Sequence, residues 1–135
     1  MNSITFFKPL MLLVFLSSFI LLTPGCSSKN QQAVNDSVRS EAIDVANQLF
    51  DSIHKRDRKA LRTLAAEPRA PGLNEHYQLL AMTNPGSNVD WVVTQGKLHG
   101  DINLSCRLDN GRQLVIILTR NSSQQLKFVG AVVLG

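Results

Sequence analysis

The chain changes its hydrophobic period once, at Asn84-Pro85-Gly86-Ser87, and no other feature constrains its fold as strongly. Before this break, apolar residues recur at three- and four-residue steps; after it, they alternate. Proline and glycine side by side interrupt either kind of element. Helices first and strands after is the order of an α+β domain, with helices packed on an antiparallel sheet.

Residues 37–54 place Ile43, Ala46, Leu49, Phe50 and Ile53 on one stripe, the pattern of an amphipathic helix. Ser37 or Ser40 can cap its start, and Glu41 and Asp44 suit the positive end of its dipole. A second helix is predicted from 58 to about 66, with Asp57 as its N-cap and Leu61, Leu64 and Ala65 inward. Pro68 is its predicted stop, because a proline disfavours helix in the residue before it. A third helix over 73–82 would turn Tyr77, Leu80 and Ala81 inward.

Past the break, strands are predicted over 89–98, 102–108, 112–120 and 126–134. Gly96 suggests a bulge in the first. In the second, Ile102, Leu104, Cys106 and Leu108 point one way, and Asn103, Ser105 and Arg107 the other. Asp109-Asn110-Gly111 is a hairpin signal. The third strand is apolar at five successive positions, Leu114 to Leu118, as for a central strand covered on both faces. The expected fold is N-terminal helices packed on a curved antiparallel four-stranded meander. Phe50 and Ile53 should face Leu114, Ile116 or Leu118, or else Val115 and Ile117.

Ahead of this domain, residues 2–8 hold one lysine and 9–22 hold no charge. Small residues and Cys26 follow, and then the polar run 27–32. This is the layout of a secretory signal. The uncharged run of 14 residues is short for a bilayer span, which needs about 20. The organisation read from the sequence is a signal peptide over 1–25, a flexible tether over 26–37 and a folded domain over 38–135.

Leu22-Thr23-Pro24-Gly25-Cys26 resembles the lipobox of bacterial lipoproteins, with Leu22 one place further out than usual and Pro24 a departure. The resemblance implies that Cys26 becomes the lipid-bearing first residue of a mature chain held on the periplasmic or extracellular side of a membrane. Ser27 then implies delivery to the outer membrane in a diderm host. The other readings of the same stretch are an ordinary signal peptide or an uncleaved anchor.

The chemistry on offer is sparse. Thirteen basic and ten acidic side chains follow residue 25, too even a balance for a nucleic-acid binder. One cluster stands out, Lys55, Arg56, Arg58, Lys59 and Arg62, which reads as a solvated helix junction or as a contact for anionic lipid head groups. Cys106, on the apolar side of a strand, reads as a small hydrophobe. His54, His76 and His99 lack the close spacing of zinc ligands, so no metal and no cofactor is expected. Asp51, Asp57 and Asp90 are available as bases, but Asp57 is better read as a cap and Asp90 as a strand start. The sequence contains no GxSxG, P-loop, GxGxxG or HExxH motif. Tyr77 and Trp91 are the candidate pocket residues, since an aromatic with one polar tip can line a site; packing between strand and helix is the alternative.

From residue 38 onward, three features resemble the small NTF2-like (cystatin-superfamily) domains of bacterial lipoproteins. They are the amphipathic helix with its charged turn, 40–57, the short Asp-capped helix Arg58-Lys59-Ala60-Leu61-Arg62-Thr63-Leu64, and the meander around Asp109-Asn110-Gly111. The resemblance implies a sheet curled around the first helix, leaving a cone that can hold a ligand. Enzymatic members carry an Asp/His pair there, and no such pair is assigned here. The expected function is a membrane-anchored, non-enzymatic binding module for a partner protein or small ligand. A scaffold subunit of an envelope secretion or conjugation assembly is one alternative, and a small hydrolase or isomerase the other.

Overall fold

The computed structural model describes residues 34–83, 85, 86 and 88–135. The expected signal peptide, Cys26 and most of the expected tether lie outside them. Three helices precede four strands: α1 (Asp36–His54), α2 (Arg58–Leu64), α3 (Leu73–Thr83), β1 (Val92–Gln95), β2 (Asp101–Arg107), β3 (Gln113–Arg120) and β4 (Leu126–Leu134). The strands form one open antiparallel sheet in chain order, β1-β2-β3-β4. The α+β class and the meander are therefore as the period change implied.

Helix α1 starts earlier than read. Asn35, not Ser37 or Ser40, is the N-cap, its side-chain oxygen accepting from the Ser37 amide at 3.1 Å. Asp36 and Ser37, assigned to the tether, form its first turn. Its buried stripe is Ala42, Val45, Ala46, Leu49 and Ser52, rotated from the expected one. Two alanines at the centre let the helix backbone approach the sheet, so the larger Ile43, Phe50 and Ile53 are moved to the flanks, half-buried.

Helix α2 is capped by Asp57, whose Oδ1 accepts from the amides of Lys59 and Ala60, both at 3.0 Å. It ends at Leu64, ahead of Pro68. Ala65 turns extended and pairs in parallel with Phe128, and the Ala66 amide donates to Phe128 O at 2.8 Å. Pairing to the sheet edge, not proline, stops this helix. In α3, Leu73 and Leu80 are buried, Tyr77 is half-buried, and Ala81 is exposed, against expectation.

Alternation holds along β2 as read, with Ile102, Leu104 and Cys106 buried. In β3 only Leu114, Ile116 and Leu118 are fully buried; Val115 and Ile117 are half-open. The strand is covered on one face, not two. Among the described residues no helix covers the opposite face, and Val92, Val129, Val132 and Leu134 are exposed. Strand β1 is shorter than predicted, and its pairing to β2 is regular, without a bulge at Gly96. The irregularity lies between β3 and β4, where Ile117 pairs with Gly130 and Leu118 with Phe128, leaving Val129 as the extra residue. In the β2–β3 loop, Gly111 takes φ +81° and its amide donates to Leu108 O at 2.9 Å.

Phe50 stacks on Trp91, with ring centroids 6.4 Å apart. With Ile53 it lines a small cavity shared with Leu80 and Ala81. Val115 and Ile117, its alternative expected partners, lie on the helix-free face of the sheet.

Candidate functional site

The residues that shape the site come from one short stretch and the helix it meets. Arg58 and Arg62 stand four apart on α2 and so share a face, with Leu61 between them. Two like charges at that spacing work against each other, at about 0.2–0.5 kcal/mol in an isolated helix. Arg56 arrives from the joint between α1 and α2. Its amide donates to Ile53 O at 3.1 Å, and the Asp57 amide donates to Ser52 O at 2.9 Å. These two bonds close a Schellman turn, in which the residue at Arg56's place is left-handed and usually glycine. Arg56 takes φ +54° there. A left-handed non-glycine residue costs about 1–2 kcal/mol.

Arg56, Arg58 and Arg62 line one groove of about 640 Å³ between α2 and α3. Leu61, Leu73 and the Tyr77 ring supply apolar surface, and Asn74 and Gln78 supply neutral polar groups. No carboxylate lines it. Among the described residues, none of the three arginines forms an ion pair; the two pairs present are Lys55–Asp51 and Arg120–Glu41. The basic cluster seen in the sequence is thus divided. Lys55 is engaged by Asp51 at 2.8 Å. Lys59 is turned to the other side of α2, beside Asp51, Asp57 and Thr63.

The two candidate aromatics are not brought together. Tyr77 forms part of the groove wall: its hydroxyl donates to Leu61 O at 3.0 Å, its ring stacks on Phe128 at 5.6 Å, and burial pushes its phenol pKa up. Trp91 is only 5 % exposed and packs in the core against Phe50, away from the groove lining.

Cys106 and His76 are both placed structurally. Cys106 is buried, and burial pushes its thiol pKa up, the opposite of what a nucleophilic thiolate needs. His76 Nδ1 lies 3.0 Å from Ala131 O and 3.3 Å from Ala131 N, so either tautomer satisfies one group on the outer edge of β4. Among the described residues, no cluster of three or more His, Cys, Asp or Glu side chains could hold a metal ion.

Sequence reasoning singled out the basic cluster and Tyr77 separately and missed that they share one cavity. The i, i+4 spacing of Arg58 and Arg62 was the available signal. Compared with known proteins, the chain matches no family model, no curated protein and no solved structure.

Proposed function

We propose that this chain is a lipid-anchored protein of a bacterial cell envelope whose folded part is a non-enzymatic, NTF2-like binding module. Its ligand carries an anionic group that enters the arginine-lined groove. The observation that carries this reading is three arginines around one cavity without an acidic residue among its lining. Guanidinium cannot shed its proton, so the groove stays cationic at any ordinary pH. A hydrogen bond to a charged group is worth about 1.5–3 kcal/mol net. The groove also falls within the size range of small-molecule sites.

Anchoring follows from the signal-like N-terminus, Cys26 and the polar tether, and it would hold the groove near a bilayer. Labelling of the wild type with a fatty acid, lost in Cys26→Ser, tests the anchor. Calorimetric titration of the full-length protein with inorganic sulfate tests the groove. Heat that weakens with added salt and vanishes in Arg58→Gln/Arg62→Gln is expected. No heat, or heat unchanged in that variant, overturns the reading.

A second reading, a scaffold within an envelope assembly, is favoured by the helix-free sheet face with exposed Val92, Val129, Val132 and Leu134. On β4 the exposed Val132 lies directly beside Val115 of β3, so the apolar surface there spans two strands. Recovery of the tagged protein alone from solubilised membranes would argue against it.

A further inference from the structure

The groove's cations outnumber what a simple carboxylate needs. One carboxylate is satisfied by a single guanidinium fork. Three arginines line this cavity. A phosphate monoester offers three acceptor oxygens and approaches two negative charges at neutral pH, which matches such a set. The cavity, at about 640 Å³, is also far larger than a bare phosphate, and Leu61, Leu73 and Tyr77 give it apolar wall beside the neutral Asn74 and Gln78.

Arg56 supplies an independent observation. It occupies the left-handed position of the Schellman turn, where glycine would fit without strain. Its side chain makes no ion pair or hydrogen bond among the described residues, so nothing in the fold compensates for the Cβ at that position. Arg56 is also one of the residues that line the groove. Strain kept without a structural return points to function.

We infer that the ligand is a phosphate-bearing amphiphile, its phosphate held by Arg56, Arg58 and Arg62 and its apolar part laid on Leu61, Leu73 and Tyr77. This rests on the groove being the ligand site. The same chemistry is met in an anionic lipid head group and in a soluble phosphate ester.

The test uses full-length protein in bilayer discs of digalactosyl diacylglycerol, which contains no phosphate. Hexyl phosphate, inorganic phosphate and hexanoate are each titrated calorimetrically, with heats from empty discs subtracted. Hexyl phosphate should bind at least about tenfold more tightly than either of the others, because only it engages both the guanidinium groups and the apolar walls. Arg56→Gly should weaken it about tenfold while the thermal midpoint holds or rises, since glycine relaxes the turn. Lys59→Gln, on the far side of α2, should leave binding unchanged. Hexanoate binding as tightly as hexyl phosphate overturns the ligand class and leaves the groove reading standing. Arg56→Gly binding like the wild type overturns the assignment of Arg56 and, with it, the three-arginine site. No heat with any anion overturns the groove reading itself. Both outcomes of adding phosphatidate to the discs support the chemistry and assign its source. Loss of hexyl phosphate binding identifies a bilayer head group, and retention identifies a soluble ester.

Discussion

Arg120 and Glu41, 79 residues apart, form a two-pronged ion pair, with Nη2 donating to Oε2 at 3.0 Å and Nη1 to Oε1 at 3.4 Å. The Leu126 amide also donates to Glu41 Oε1, at 3.2 Å. Arg120 in turn donates to Gln124 O. One carboxylate on α1 therefore holds both ends of the β3–β4 turn. The two side chains are 24 % and 38 % exposed, whereas those of Lys55 and Asp51 are 69 % and 59 % exposed. Partial shielding and a second acceptor bond should make the first pair the stronger one. Glu41→Gln should lower stability by about 1–2 kcal/mol. Asp51→Asn, at an exposed i, i+4 pair, should lower it by about 0.5 kcal/mol or less. Equal urea midpoints for the two variants would show that the long-range clamp is no better than a surface pair.

The aromatic core offers a ranking. Phe128 is fully buried, stacked on Tyr77 and met edge-on by the His76 ring. Phe50 is half-buried at the flank of α1, against Trp91. Phe128→Ala should cost about 3–5 kcal/mol, the range for a fully buried phenylalanine. Phe50→Ala should cost clearly less, because it removes less buried surface and its site opens to solvent. Chemical denaturation of both variants checks the order, and the reverse order would mean that the α1 flank is the true centre of the core.

Much of this architecture was legible because it depends on local chemistry. Asp57 caps α2 for the reason it was read as a cap, and the Ile102-Leu104-Cys106 alternation lies on the buried face. What was not legible depended on partners distant in sequence. The stripe of α1 was read from the largest side chains, but the sheet selects Ala42 and Ala46, whose small size allows close approach. Helix α2 ends where Ala65 finds Phe128, a parallel bridge that no short window contains. The groove joins Arg56, Arg58 and Arg62 to Tyr77 only once α3 has folded back beside α2. Val115 and Ile117 looked like core because an apolar run does not reveal whether its second face has a cover.

Gly96 illustrates a contact of that distant kind. It forms no bulge, but its amide donates to Asp101 O at 2.8 Å. A Cβ placed there would lie 2.5 Å from the Asp101 Cβ and 3.2 Å from its carbonyl carbon. Since backbone is involved, rotation of a side chain cannot relieve the clash. Gly96→Ala should therefore destabilise the β1–β2 hairpin by about 1–3 kcal/mol, the usual range for overpacking. Amide exchange should quicken first at Thr94, whose amide faces β2 in the same register as that of Gly96. A variant as stable as the wild type would mean that the two chains lie further apart than this.

The last prediction concerns alkaline pH. Burial raises the pKa of the Cys106 thiol above its ordinary value of 9.0 and that of the Tyr77 phenol above 10.0. In both groups the protonated form is neutral, so the folded chain keeps protons that the unfolded chain has already released. Where the unfolded state binds fewer protons than the folded one, stability falls as pH rises. The contribution of Cys106 is thus fully present below its ordinary value of 9.0 and is lost as pH climbs through the raised value in the fold. Tyr77 repeats the pattern from 10.0 upward. Urea midpoints measured from about pH 8 to about pH 11 should be level at first and then decline, across the range where free thiols and phenols ionise. Cys106→Ala should be less stable at neutral pH, because it leaves a small void. Its decline should nevertheless begin later, so that its deficit against the wild type narrows as pH rises. Tyr77→Phe should remove the later part of the decline and, at every pH, the bond to Leu61 O. If the wild type and Cys106→Ala fall in parallel throughout, the buried thiol does not couple folding to pH.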